Sequence, residues 1–143
     1  MYTNNSAALN LTETEQDICN FVEDLMLALS FRNSLVGGKY LRDCIVEVCL
    51  AVKKTIKLSD DIYPIIANRY NTIPANVCKA IRHCLITCYN DGTLKRVNRI
   101  FRFELIGNAP PTNAEFIKTI AIFVKRYLRA REDEKTRFTY FSL

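Results

Sequence analysis

The chain has 143 residues, 49% of them hydrophobic and 24% charged; this is the balance of a soluble globular domain with a real core and excludes wholesale disorder. Four glycines and four prolines are too few for a sandwich or barrel built on many tight turns. The net charge is +5, and the longest strongly apolar uncharged stretch, residues 25–31, is far short of the ~18–20 residues a membrane span needs.

Helical periodicity runs almost throughout the chain. Thr12 and Glu15 form a capping box that opens a first helix, with Ile18, Val22, Leu25 and Leu29 on its inner stripe and Phe21 and Met26 widening it. Gly37-Gly38 is expected to break the chain. A second helix follows, carrying Leu41, Cys44, Ile45, Val48, Val52 and Ile56 on one face and Lys53, Lys54 and Lys57 in its last turns. Pro64 suits the first turn of a short helix that runs to about Tyr70 and buries Ile66, Ala67 and Tyr70. A tight break at Asn71-Thr72-Ile73 leads to Pro74, which opens a longer helix ending at Asn90-Asp91-Gly92. Its apolar stripe is Val77, Ala80, Ile81, Cys84, Leu85 and Cys88. A further short helix is expected over residues 94–100, then a loop over 101–111 in which Phe101, Phe103 and Leu105 alternate as in a brief strand. Thr112-Asn113-Ala114-Glu115 is a second capping box. The last helix turns Phe116, Ile120, Phe123, Val124, Tyr127 and Leu128 inward. The reading is all-α: about six helices around a central helix-turn-helix. Residues 1–131 form one domain, and 132–143 a charged, then aromatic tail.

No basic segment followed by an apolar one opens the chain, so no secretion signal and a cytoplasmic location are expected. In that compartment the six cysteines read as reduced core thiols. None is spaced as CxxC. His83 and Cys84 are adjacent on a helix and point about 100° apart, so no metal site is expected. There is no Gly-rich phosphate loop, paired-carboxylate constellation or HExxH, so neither an enzyme nor a cofactor is expected.

The charge is unevenly placed. Residues 69–102 carry seven bases (Arg69, Lys79, Arg82, Lys95, Arg96, Arg99 and Arg102) against Asp91 alone. Such a segment suits a polyanion. The short helix, tight turn and longer helix fall inside it and have helix-turn-helix spacing: Ala67 for close approach, Asn71 at the turn, Val77 to lock the pair. Asn76, Lys79, Arg82 and His83 fall opposite the apolar stripe, where a recognition helix reaches base edges of double-stranded DNA. Arg69, Lys95, Arg96 and Arg99 are the candidate phosphate contacts.

Taken in order, Tyr63-Pro64, Ile66-Ala67, Tyr70-Asn71-Thr72, Val77, Ala80-Ile81-Arg82-His83 and Pro111-Thr112-Asn113 followed by Glu115-Phe116-Ile117 resemble the C-terminal effector domain of the stage-zero sporulation response regulators of endospore-forming bacteria. Gly38, Tyr40, Leu41 and Arg42 extend the likeness, which covers roughly residues 15–130. The resemblance implies a six-helix fold, binding to short DNA boxes as tandem dimers, and contact with an RNA polymerase sigma factor.

Three departures stand out against that family. The chain has no room for a receiver domain, so the phosphorylation switch is not expected in it. In the recognition helix the family's usual Arg, Glu and Arg are Asn76, Cys78 and Lys79, while Arg82 and His83 match. The aromatic tail, residues 138–143, extends past the family's last helix. The leading expectation is a stand-alone DNA-binding transcriptional regulator. The alternative is a protein-interaction module acting on a full-length regulator or sigma factor.

Overall fold

The first helix, α1 (Glu13–Ala28), buries Ile18, Cys19, Val22, Leu25 and Met26 and carries Glu13 and Glu15 in its first turn, where carboxylates suit the helix dipole. The computed structural model describes residues 13–29 and 35–142, with side chains to residue 136. Thr12, the expected cap of α1, lies outside the described residues.

Helix α2 (Val36–Leu50) is the hub. It packs against α1, α4 (Pro74–Asn90) and α6 (Asn113–Ser142) and buries Tyr40, Leu41, Cys44, Ile45, Val48 and Cys49. The expected break at Gly37-Gly38 is not one: both glycines lie in the first turn of α2. A Cβ on Gly37 would stand 2.0 Å from the carbonyl oxygen of Ala80 and 2.9 Å from Cβ of Cys84. Gly37 is therefore a crossing residue, where α2 touches the backbone of α4.

The end of α2 also differs from expectation. The helix stops at Leu50, and Ala51 is extended. Val52 is 99% exposed, and Lys53, Lys54 and Lys57 lie beyond the helix. The reason is tertiary: bending at Ala51 lets the chain return and set Leu58 and Ile62 in the core from a short π-helical turn, Leu58–Ile62. Asp61 closes that return by accepting from Nζ of Lys53 and from the backbone N–H of Lys57, both at 2.8 Å.

Helix α3 (Tyr63–Arg69) starts with Pro64 in its first turn and buries Tyr63, Ile66 and Ala67. Helix α4 buries Val77, Ile81, Cys84, Leu85 and Cys88 and ends where Gly92 adopts φ +84°. The next helix is split into a 3-10 turn, Thr93–Lys95, and α5 (Arg96–Phe101).

Residues 102–112 hold no strand. Asn98 organises them instead. Its Oδ1 accepts from the N–H of Leu105 and Ile106, both at 2.8 Å, and its Nδ2 donates to the carbonyl of Ile106 at 2.9 Å.

At α6 the N–H of Glu115 donates to Oγ1 of Thr112 at 3.0 Å, half of the expected capping box. Phe116, Ile117, Ile120, Ala121 and Val124 are fully buried. Tyr127, expected inward, is 48% exposed. It lies at the edge of the α1–α6 contact, its ring 4.6 Å from that of Phe21. The helix continues to Ser142, through the segment read as a tail; residues 129–136 are exposed, and Phe138, Tyr140 and Phe141 lie outside the described side chains.

Candidate nucleic-acid interface

The α3–α4 unit is shaped at its turn. Asn71 has φ +55°, the left-handed conformation that asparagine tolerates best after glycine. Its N–H donates to the carbonyl of Asn68 at 3.4 Å, and the N–H of Thr72 donates to that of Ala67 at 2.9 Å. These two bonds form a Schellman motif. They end α3 and reverse the chain in four residues. The N–H groups of Asn76 and Val77 both donate to the carbonyl of Ile73, at 3.0 and 3.3 Å, and Val77 is fully buried. Asn71 thus takes the turn conformation expected of it, and Ala67 and Val77 are both buried.

With the inner stripe of α4 buried, Asn76, Lys79 and His83 are left exposed at spacings of three and four residues, one face of a helix. Arg82 is half-buried, and one arm of its guanidinium donates to the carbonyl of Pro111. Lys95, Arg96 and Arg99 are exposed on the 3-10 turn and α5. Thr72 was legible only as a turn residue. It is half-buried, and its Oγ1 accepts from Nδ2 of Asn76 at 3.0 Å.

Arg69 turns away from the set in which the sequence placed it. Its Nη1 donates to Oδ2 of Asp43 at 3.3 Å and its Nη2 to Oε1 of Glu47 at 2.6 Å. The charge is answered on α2. Asp43 is 1% exposed and accepts twice more, from Nε of Arg42 at 3.0 Å and from the hydroxyl of Tyr70 at 2.6 Å. That hydroxyl in turn accepts from Nη2 of Arg42 at 3.4 Å. One buried carboxylate thereby clamps the C-terminal end of α3, just before the turn. No register signal marked it: two residues after Leu41, Asp43 falls on the face opposite the stripe of Leu41, Cys44, Ile45 and Val48, and it is buried because α3 packs on α2 as well. A buried charge needs partners.

Two tyrosines report this packing. Burial, with the bond to Asp43, pushes Tyr70 up to about 12. Burial likewise pushes Tyr63 up to about 12. In the unfolded chain both return to an ordinary value near 10. The neutral hydroxyls therefore favour the fold fully below pH ~10, and that contribution is lost as pH rises through about 12. A phenolate absorbance titration is expected to show a late phase near pH 12 that coincides with loss of helix. A late phase that persists in the Tyr63→Phe, Tyr70→Phe double variant would refute this assignment.

Asn113, at the start of α6, bridges back to the same unit. Its Nδ2 donates to the carbonyl of Cys78 at 3.1 Å and to the hydroxyl of Tyr63 at 3.3 Å. Asn113 and the bond from Arg82 to Pro111 fix α4 against the N-terminus of α6. The sequence showed Asn113 only as part of a capping box. The cysteines serve packing: Cys19, Cys44, Cys49, Cys84 and Cys88 are buried, and all six are free thiols. Burial raises the pKa values of Cys19, Cys44 and Cys49. The bond with Cys88, then burial, raises that of Cys84. These thiols stay protonated and unreactive at neutral pH.

Among the described residues no group of three or more His, Cys, Asp or Glu could hold a metal ion. No helix there is long and apolar enough to cross a membrane. The family model described as "Sporulation initiation factor Spo0A C terminal" matches residues 22–124, from within α1 to within α6 and across the whole α3–α4 unit. With well over half of its length matched, and with six α-helices among the described residues and a Schellman-turned pair at their middle, this chain belongs to the Spo0A C-terminal family of DNA-binding effector domains in sporulation transcription.

Proposed function

We propose that the α3–α4 unit docks on double-stranded DNA as a helix-turn-helix, with α4 in the major groove. The observation that carries this reading is the exposed face of Asn76, Lys79 and His83 on α4, within a segment of seven bases and one acid. Asn76 pairs with adenine, and Lys79 takes guanine or phosphate. Arg82 adds the N–H groups that its bond to Pro111 leaves over. Lys95, Arg96 and Arg99 contact phosphates. Arg69 supports α3 through Asp43 and Glu47 and is not assigned to phosphate. The regulator works in the cytoplasm, as a dimer on tandem boxes and in contact with a sigma factor.

Selection from a randomised duplex library, followed by footprinting, tests the reading directly. Log affinity for the selected duplex should fall linearly with log salt, with a slope of about −0.9 per phosphate contact. Lys95→Ala and Arg99→Ala should each weaken binding to all duplexes alike and make that slope shallower by about one. Binding that ignores salt would sink the proposal.

A second reading, a protein-interaction module, is favoured by apolar surface away from α4. Ile100 is 41% and Phe103 56% exposed, and Ile100 borders a groove with Phe21, Leu25 and Tyr127. Salt-sensitive, sequence-selective DNA binding by the pure protein separates the two readings.

A further inference from the structure

The side chain of Asn76 is not a free rotor. It is exposed on the outer face at the start of α4, yet its amide nitrogen donates to Oγ1 of Thr72 at 3.0 Å. Thr72 is itself held, because its backbone N–H is the second bond of the Schellman turn. A primary amide has two N–H groups, one on the same side as its carbonyl oxygen and one on the far side. Only the near N–H can act with the oxygen as a bidentate pair. If the far N–H is spent on Thr72, the oxygen and the near N–H share the outward edge.

We infer that Thr72 is the positioning residue that sets the base preference of α4, by tethering the amide of Asn76 so that its hydrogen-bonding edge is held outward. The outward edge then offers one acceptor and one donor side by side. Adenine presents their complement in the major groove, an N6 donor beside the N7 acceptor. Guanine presents two acceptors, O6 and N7, and leaves the amide oxygen facing another oxygen. Thr72 never touches the base in this scheme. It acts one turn behind the reader, from a position set by the left-handed residue Asn71. The inference rests on the proposed docking of α4.

The experiment uses the full chain and the duplex that the wild-type protein selects from a randomised library. Affinities are measured for that duplex and for its complete set of single-base-pair variants, with Asn76→Ala, Thr72→Val and Thr72→Ser beside wild type. A bidentate pair discriminates by about tenfold or more against the wrong base. Asn76→Ala should flatten the preference at one base pair, from adenine to near equality. Thr72→Val, of the same shape but without the hydroxyl, should flatten the same base pair and leave the others unchanged. Thr72→Ser, which keeps the hydroxyl, should retain the preference. That three-way pattern supports the inference, provided that helix content and melting temperature of Thr72→Val match wild type. If Thr72→Val lowers them, discrimination is compared at a temperature at which both proteins are folded, and the ratio of affinities for two duplexes, which is independent of the folded fraction, decides. Discrimination that survives Thr72→Val but not Asn76→Ala would overturn the role of Thr72 while leaving base reading by Asn76 intact. Discrimination untouched by Asn76→Ala would overturn both.

Discussion

Asp43→Ala is expected to destabilise the protein by about 3–5 kcal/mol, the range for removing one partner of a buried ion pair. Asp43 is buried to 1% exposure and accepts from Arg42, Arg69 and Tyr70. Alanine leaves a partly buried guanidinium without its counter-charge and a tyrosine hydroxyl without its acceptor. For a chain of this size the melting temperature should fall by roughly 10 °C. Thermal unfolding followed by far-ultraviolet circular dichroism measures it. Tyr70→Phe removes one bond and keeps the ring that packs 5.0 Å from that of Tyr40, so about 1 kcal/mol is expected. Near-equal losses for the two variants would mean that the carboxylate is not the centre of the cluster.

Gly37→Ala should also be severe, and its sign is the informative part. In a solvated helix this exchange ordinarily stabilises by up to about 1 kcal/mol. Here the new Cβ meets the oxygen of Ala80 at 2.0 Å and its carbonyl carbon at 2.6 Å. These are backbone atoms of α4 and cannot swing aside. Helices α2 and α4 would have to part by about 1 Å or more to restore contact distance. That opens the packing of Leu41, Ile45, Ile81 and Leu85, all fully buried. A loss of about 3 kcal/mol or more is expected, the upper end for overpacking. Denaturant titration should show a lowered midpoint at an unchanged slope. A neutral or stabilising result would mean that the two helices cross less tightly.

What the sequence made legible was local. Asn71 after a seven-residue helix, Pro74 at a first turn and Gly92 after Asn90-Asp91 carry their conformations within a few residues of themselves. The turn and both ends of α4 could therefore be read. So could the outward face of Asn76, Lys79 and His83, because an apolar stripe implies its opposite. What escaped was decided at a distance. Val52 continues the period of α2, but no helix covers it there, and the chain bends to deliver Leu58 and Ile62 instead. Arg69 reads as a free base in a basic run, yet its partners, Asp43 and Glu47, lie more than twenty residues earlier on another helix. The glycine pair reads as a break because a sequence does not reveal which backbone will cross it. The bond from Thr72 to Asn76 is local, at four residues, but it bridges a turn and a helix, where no simple period applies.

Asn98 has a consequence for how this fold can vary. Three bonds to the backbone of Leu105 and Ile106 come from a single side chain, so the shape of the crossing from α5 towards α6 is stored in one residue and not in the residues that adopt it. Gly107, exposed beyond the anchor, is held through its carbonyl, which accepts from the hydroxyl of Tyr89 at 3.1 Å, a bond that any residue can make; Asn108 after it is exposed. Length and composition there are cheap to change across descendants, whereas Asn98 has no close substitute: aspartate lacks the donor, and glutamine displaces the amide by a methylene. Drift and insertion should therefore collect just past the anchor while the asparagine itself is inherited unchanged.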